Sequence, residues 1–190
     1  MTVDLRKPIA AAATLALLAL TACPGETQNT STAKEPSSDA AKSTTSGPSC
    51  NPKVGAKAPA LTIASMNGGG KATIAPGKVT LVDFWATWCK PCRKSFPSYQ
   101  ALYTKYKSQG FELIAVSADE DDKDIPGFIK EYGAKFPVGF DKGHAYADCW
   151  KPANMPTAYL IDKKGVVREI HNKWEDGDEK ELDAKIKSLL

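Results

Sequence analysis

The sequence predicts an α/β domain with a mixed central β-sheet and helices on both faces. Two segments, residues 79–85 and 111–118, have the nearly continuous apolar character of strands that are covered on both sides. Segments of helical periodicity follow them and produce β-α-β-α-β-α order. A β-hairpin pattern precedes this alternation, and a second hairpin with a terminal helix follows it. We expect the β-α-β crossovers to be right-handed.

The first predicted element is a β-hairpin made by residues 60–65 and 71–75. The turn between them contains Asn67-Gly68-Gly69-Gly70, and glycine supplies the positive φ angles that tight hairpins need. A phosphate-binding role for these glycines is the weaker interpretation, because no helical pattern follows directly. The first buried strand, residues 79–85, comes next.

Residues 90–108 are predicted to form a helix that Gly110 ends. Pro97 should kink this helix, because proline lacks the backbone N–H of the helical ladder. The second buried strand, residues 111–118, follows. The apolar positions that carry the helical period are Phe96, Tyr99, Leu102, Tyr103 and Tyr106.

A further helix is predicted from the acidic run Asp119-Glu120-Asp121-Asp122 to about Tyr132. Carboxylates in a first turn interact favourably with the helix dipole. A calcium loop is a poorer interpretation, because Lys123 and the missing turn glycine depart from the EF-hand pattern.

The last third of the domain is predicted to contain two more α/β units. A short strand and a short helix are followed by a hairpin around Lys163-Lys164-Gly165 and by an amphipathic helix. The predicted ranges are 136–140, 144–150, 157–162, 166–171 and 178–190.

The first 22 residues are predicted to be an export signal. Arg6 and Lys7 precede an apolar run, residues 9–20, that is shorter than the ~20 residues of a membrane span. Leu20-Thr21-Ala22-Cys23 resembles the lipobox of bacterial lipoproteins, which implies cleavage before Cys23 and acylation of Cys23. Multiple acyl chains anchor a protein stably to a bilayer. An ordinary secretory signal with a chance cysteine is the alternative.

Residues 23–51 are predicted to be a tether, and residues 52–190 a single domain. The segment from Pro24 to Asn51 has no aromatic residue, Val, Leu or Ile, so it cannot bury enough apolar surface to become ordered. As a coil it would span roughly 30 Å. The chain carries a formal charge of +3 and no basic block, so nucleic acid is not an expected partner.

The motif Cys89-Lys90-Pro91-Cys92 lies between the first buried strand and the following helix, which points to thiol–disulfide exchange. Cys89 is the predicted nucleophile, because a helix N-terminus stabilises a thiolate. Cys92 is the predicted resolving thiol. Asp83, if buried, would accept the proton of Cys92; the alternative is a solvent-facing or hydrogen-bonding strand residue. Trp88 is expected to contact partners from the surface.

Cys50 and Cys149 remain after Cys23 and the CxxC motif are assigned. They stand 99 positions apart, and in an oxidising compartment two such thiols often pair. The chain-entropy model gives ~4–5 kcal/mol for a loop of this length. Two separate thiols, with Cys149 buried, are the alternative that the sequence leaves open.

Residues 82–92, Val-Asp-Phe-Trp-Ala-Thr-Trp-Cys-Lys-Pro-Cys, resemble a thioredoxin active site. From about Val54 to Leu190 the chain resembles membrane-anchored thioredoxin-like proteins of the TlpA/ResA type. The pieces that also match are Val54-Gly55-Ala56-Lys57-Ala58-Pro59, the segment Pro156-Thr157-Ala158-Tyr159-Leu160-Ile161-Asp162 with Gly165, and an inserted strand and helix.

This resemblance implies a thioredoxin fold with an N-terminal hairpin and a central αβ insertion. It implies disulfide oxidoreductase activity on envelope proteins and a membrane electron donor of the DsbD/CcdA type. No cofactor is expected. It also implies a cis Pro156 facing the CxxC motif, with Met155 beside the incoming peptide. The chain departs from the pattern at Ser95, where relatives commonly carry Glu, and at Asp83, where they often carry Asn.

A copper-handling protein of the same fold is the alternative function, with Cys89, Cys92 and a histidine such as His171 as ligands, because soft thiolates favour Cu(I). Copper chaperones of this fold usually space the cysteines by three. A zinc site is not expected, because the chain has no second CxxC or CxxH motif.

Overall fold

The computed structural model describes residues 50–190. The predicted signal peptide, Cys23 and nearly all of the tether lie outside the described residues. The strands are β1 (Thr62–Ala64), β2 (Lys71–Thr73), β3 (Val79–Trp85), β4 (Phe111–Ser117), β5 (Val138–Phe140), β6 (Thr157–Ile161) and β7 (Val167–Asn172). The helices are α1 (Lys90–Tyr106), α2 (Ile125–Tyr132), α3 (Ala145–Trp150) and α4 (Asp178–Leu189), with a 3-10 turn at Lys107–Gln109.

The central sheet has five strands in the order β5-β4-β3-β6-β7. β3 lies in the middle, parallel to β4 and antiparallel to β6, so the predicted mixed sheet is confirmed. β5 is parallel to β4, and β7 is antiparallel to β6. The predicted N-terminal hairpin forms a separate two-stranded sheet of β1 and β2.

Successive side chains of β3 enter two different cores, as the period of two in a strand requires. Leu81 and Trp85 belong to the core that α1, α2 and α4 cover. Val82 and Phe84 belong to the core on the opposite face, with Trp150 of α3 and residues of the hairpin. Asp83 therefore stands on the α1 face of the sheet, between Leu81 and Trp85.

The hairpin packs closely on the edge strand β5. A Cβ atom at Gly139 would lie 2.5 Å from Cγ1 of Ile63, so glycine is required at this point of contact. Ser65 also forms an isolated antiparallel bridge with Gly139. These contacts hold the hairpin over the second core.

The predicted start of the second helix at Asp119 is wrong. α2 begins at Ile125, and Pro126 occupies its first turn, where a missing N–H removes no helical hydrogen bond. Asp119 is buried instead, and it accepts hydrogen bonds from Thr87 and Ser117. Because the Asp119 carboxylate is buried and accepts these hydrogen bonds, Asp119 does not lie in the exposed first turn of α2.

α1 runs without interruption through Pro97, and Gly110 ends the segment with a φ of 96°. The kink at Pro97 stays a prediction. In the part of the chain that the structure covers, residues 50–190, no helix has the length and apolar character needed to cross a membrane.

Candidate active site

Cys89 and Cys92 form a disulfide at the N-terminus of α1, with an S–S distance of 2.02 Å. Cys89 is the N-cap residue, and its Sγ accepts a hydrogen bond of 3.2 Å from the Cys92 amide. Cys89 is 3% exposed, whereas Cys92 is completely buried. Cys89 therefore lies at the positive end of the helix dipole and is the more accessible of the two residues.

The loop that leads into the motif is held by Asp119. The Asp119 carboxylate accepts hydrogen bonds from the Thr87 amide at 3.1 Å and from the Thr87 hydroxyl at 2.7 Å. Arg93 of α1 donates a further hydrogen bond to the Thr87 carbonyl at 3.2 Å. Asp119 was not predicted as a site residue; its position two residues beyond the buried strand β4 was the available signal.

Asp83 lies on the α1 face of β3 and is completely buried, which excludes the solvent-facing alternative. The Tyr99 hydroxyl donates a hydrogen bond of 3.3 Å to its Oδ1. Its Oδ2 has no hydrogen-bond partner among the described residues. Burial raises the pKa of Asp83 well above its ordinary value, and the hydrogen bond from Tyr99 opposes this shift only in part.

Ser95 and Tyr99 lie on the same face of α1 as Cys92, and all three are buried. The Ser95 hydroxyl donates a hydrogen bond of 3.1 Å to the Cys92 carbonyl. Position 95, where the resemblance led us to expect a carboxylate, thus holds a buried hydroxyl whose hydrogen is donated to the backbone. Tyr99 was predicted only as an apolar position of the helix, so its contact with Asp83 was missed.

Pro156 follows a cis peptide bond from Met155, as the resemblance implied. It directly precedes β6, whose first residue Thr157 pairs with Phe84, so Pro156 lies level with the end of β3 that leads to Cys89. Pro156 is buried, and Met155 packs at the edge of the core that contains both cysteines.

Trp88 is 67% exposed and lines a groove of about 440 Å³. Trp85, by contrast, is fully buried and packs against Phe96 and Phe128 with ring centroids 4.5 Å away in both cases. The groove is lined by Thr87, Trp88, Arg93, Asp124, Gly127, Phe128 and Glu131. An exposed tryptophan next to Cys89 is suited to contact a polypeptide.

The copper alternative receives no support from the position of His171. Its Nε2 lies 2.8 Å from an oxygen of Asp178, and its ring packs near Trp174. Within residues 50–190, no three His, Cys, Asp or Glu side chains are grouped so that they could hold a metal ion.

Cys50 and Cys149 are joined by a second disulfide, with an S–S distance of 2.15 Å and a Cα–Cα distance of 4.6 Å. The Asn51 amide also donates a hydrogen bond of 2.6 Å to the Cys149 carbonyl. These bonds attach the start of the domain to α3. They lie on the side of the second core, which the Cys149 side chain contacts.

The sheet order, the disulfide at the first turn of α1 and the cis proline before β6 define a thioredoxin-like fold with a CxxC disulfide. The family model described as Redoxin matches residues 53–186. The chain therefore belongs to the Redoxin family, and the resemblance to TlpA/ResA-type proteins is confirmed.

Curated relatives include the thiol-disulfide oxidoreductase ResA of Bacillus anthracis, which is 47% identical over 93 residues, 49% of this chain and 54% of that protein. ResA of Bacillus subtilis strain 168 is 38% identical over 94 residues, 50% of this chain and 52% of the relative. In these matches the chain spans about half the length of the relatives.

Two solved structures cover most of the described part of the chain. A candidate thiol:disulfide interchange protein DsbE from Chlorobium tepidum has a TM-score of 0.69 and 33% identity, covering 73% of this chain and 99% of that one. The thioredoxin domain of a thiol-disulfide oxidoreductase from Bacteroides vulgatus has a TM-score of 0.61 and 26% identity, covering 73% and 99%. The predicted thioredoxin fold is confirmed.

Proposed function

We propose that this chain is an extracytoplasmic, membrane-anchored thiol–disulfide oxidoreductase that reduces disulfides of envelope proteins through Cys89 and Cys92. The observation that carries the proposal is the Cys89–Cys92 disulfide at the N-cap of α1. A sulfur at this position can cycle between disulfide and thiolate, because the unpaired N–H groups and dipole of the helix stabilise its negative charge. The names of the ResA relatives support the same chemistry.

In the reduced protein, the Cys89 thiolate attacks a substrate disulfide. A bond forms between Cys89 and one substrate sulfur, the substrate S–S bond breaks, and the other substrate sulfur leaves as a thiolate that takes up a proton. Lys90, the first residue of α1, adds positive charge next to the nucleophile. The substrate sulfur is delivered at Cys89 because Cys92 is completely buried.

Cys92 then resolves the mixed disulfide. Its thiol gives its proton to Asp83, and the resulting thiolate attacks Cys89 Sγ. The Cys89–Cys92 bond forms and the second substrate sulfur leaves as a thiol after protonation, so two electrons pass from the dithiol to the substrate. A buried carboxyl whose pKa is raised, as that of Asp83 is, suits this role, since its proton affinity lies closer to that of a thiol.

Trp88, Met155 and Pro156 form the proposed substrate-binding surface. Trp88 offers an exposed apolar face beside Cys89. Met155 and Pro156 stand level with the end of β3 from which the CxxC loop emerges. A substrate polypeptide lying between them would present its disulfide to Cys89.

The domain organisation follows from the predicted segments. Residues 1–22 act as a lipoprotein signal, and acylated Cys23 anchors the protein in the lipid bilayer. The tether, residues 23–51, lets the domain of residues 52–190 work at the outer side of a bacterial membrane. Each cycle consumes two electrons, so a membrane donor of the DsbD/CcdA type would re-reduce the Cys89–Cys92 disulfide.

Trapping of mixed disulfides tests this function. Cys92→Ser should accumulate mixed disulfides with envelope proteins on non-reducing gels, because the resolving step is lost. Cys89→Ser should accumulate none, and the double variant Cys89→Ser/Cys92→Ser is the background control. Equal trapping by both single variants would show that Cys89 is not the nucleophile, and an absence of trapping by Cys92→Ser would argue against exchange itself.

The reduction potential of the Cys89–Cys92 pair tests the direction of transfer. A value near ~−270 mV, typical of thioredoxin, would support a reductant. A value near ~−120 mV, typical of a strong oxidant, would contradict the reductant assignment while leaving disulfide exchange intact.

A further inference from the structure

Three buried side chains with polar groups lie on β3 and on the Cys92 face of α1: Asp83, Tyr99 and Ser95. We propose that Tyr99 is a positioning residue for proton transfer at Cys92, because its hydroxyl holds one oxygen of the Asp83 carboxyl and leaves the other for the thiol proton. This inference rests on the proposed exchange function and assigns to Tyr99 a role in its second step.

The two carboxyl oxygens of Asp83 differ in their hydrogen bonds. Oδ1 accepts the hydrogen bond from the Tyr99 hydroxyl at 3.3 Å. Oδ2 is buried without a partner in the described structure. A buried acceptor that lacks a donor is costly in a folded protein, and a role in proton transfer is one physical reason for its presence. Oδ2 is thus the atom at which Asp83 can receive a proton.

Tyr99 borders Trp174 and Ser95 in addition to Asp83. Its ring packs against Trp174 with centroids 5.0 Å apart. Burial and the negative charge of Asp83 raise the pKa of its phenol well above the ordinary value, and the neighbouring Ser95 opposes this shift only in part. Ser95, which borders Tyr99, donates its single hydroxyl hydrogen to the carbonyl of the resolving cysteine.

The charged groups around Asp83 come from several elements. Its neighbours across the sheet, Ala115 of β4 and Ala158 of β6, do not titrate. Tyr99 of α1 is its hydrogen-bond donor, and Asp178 of α4 acts on Tyr99 through its negative charge. His171 of β7 holds Asp178 by a hydrogen bond of 2.8 Å. Among these groups, Tyr99 is the one that bonds directly to the Asp83 carboxyl.

The proton transfer in the second step explains what the hydrogen bond from Tyr99 to Asp83 does. The Cys92 S–H bond breaks, its proton binds Asp83, and the Cys92 thiolate displaces the substrate thiolate from Cys89 as the Cys89–Cys92 bond forms. Asp83 must therefore be ionised before the step. The Tyr99 hydroxyl stabilises the ionised carboxylate, because it donates a hydrogen bond to it.

The test uses the reduced chain and a symmetrical nitroaryl disulfide, whose thiolate is coloured when it is released. The first equivalent of colour reports attack by Cys89, and the second reports attack by Cys92 on the mixed disulfide. In Tyr99→Phe the first phase should keep its wild-type rate and pH dependence. The second phase should slow. Its acid limb, the pH range in which the rate falls as Asp83 becomes protonated, should move to higher pH, because loss of the donor destabilises the Asp83 carboxylate.

Tyr103→Phe is the matched control. Tyr103 is also buried on α1, but its ring packs against Phe136 and the substitution removes one hydroxyl in the same way. It should leave both phases unchanged. In the Asp83→Asn background, Tyr99→Phe should produce no further shift of the acid limb, because the group that Tyr99 positions is no longer ionisable.

Three results would overturn the proposal for Tyr99. They are an unchanged second phase in a folded Tyr99→Phe protein, an equal shift in Tyr103→Phe, and a shift that persists in the Asp83→Asn background. Failure of the proposed function would look different, since the wild-type protein would then release no colour beyond that of Cys89→Ser/Cys92→Ser.

Discussion

Asp119, two residues beyond the end of β4, accepts hydrogen bonds from Thr87, which directly precedes Trp88 of the CxxC loop. One carboxylate oxygen of Asp119 accepts from both the amide and the hydroxyl of Thr87, at 3.1 and 2.7 Å. The second oxygen accepts from the Ser117 hydroxyl at 2.7 Å. The position of the cysteine pair therefore depends on a residue that lies 30 positions beyond Cys89 in the sequence.

Asp119→Ala should destabilise the domain and loosen the CxxC loop. The substitution leaves the Thr87 amide and two hydroxyl groups without their acceptor, and one such unsatisfied buried donor costs roughly 1–3 kcal/mol. The midpoint of guanidinium unfolding should fall accordingly. Asp122→Ala, in the exposed part of the same acidic run, is the control and should leave the midpoint unchanged. Equal midpoints for the two variants would show that the Asp119 contacts contribute nothing.

Asp83→Asn should stabilise the oxidised protein at neutral pH. Burial raises the pKa of Asp83 above its unfolded value of 3.8, so ionising this group favours the unfolded state. The destabilisation caused by ionising Asp83 is absent below the pKa that this group has in the unfolded chain. It grows as the pH rises towards the pKa in the folded protein and is complete above that pKa. The gain in free energy of unfolding from Asp83→Asn should therefore be present at pH 7 and disappear near pH 3, as measured by urea unfolding at both pH values.

Asp162→Asn should show the opposite sign and serves as the control for this experiment. Burial tends to raise the pKa of Asp162, but hydrogen bonds from Val166, Arg168 and Lys164 outweigh it and hold the pKa below its ordinary value. Its ionised form thus favours the folded state, and that contribution is lost as the pH falls through the folded pKa. A stabilising effect of Asp162→Asn at pH 7 would contradict the lowered pKa of Asp162. A destabilising effect of Asp83→Asn at pH 7 would contradict the raised pKa of Asp83.

Removal of the second disulfide by Cys50→Ala/Cys149→Ala should lower the free energy of unfolding. The bond closes a loop with a sequence separation of 99, for which the chain-entropy model gives about 4–5 kcal/mol. The measurement is denaturant unfolding of the purified protein with the Cys89–Cys92 pair oxidised in all samples. Asp148→Ala, an exposed neighbour on α3, controls for local changes in this helix. A loss no larger than that of Asp148→Ala would show that the bond does not constrain the unfolded chain.

Local patterns predicted most of the elements. The near-continuous apolar character of residues 79–85 matched β3 at both ends, because a central strand needs apolar residues on both faces. Gly110 was correctly predicted to end the helical segment, since its φ of 96° favours glycine. The error at Asp119 had a physical cause: a run of acidic residues is typical of a helix start, but the partner of its first member, Thr87, lies in another part of the chain.

The sequence by itself determined the fold class, the β-α-β order and the position of the cysteine pair at a helix N-terminus. These depend on short-range periodicity and on the spacing of two residues. Only the tertiary structure decided that Cys50 meets Cys149, that Asp119 holds Thr87, and that Tyr99 donates to a completely buried Asp83. Each of these is a contact between distant segments, and it depends on strand order and on the face of the sheet that each side chain enters. Local pattern does not encode those distances. Asp83 was predicted from the sequence as a proton acceptor, but its burial and its hydrogen bond from Tyr99 emerged only from the packed core.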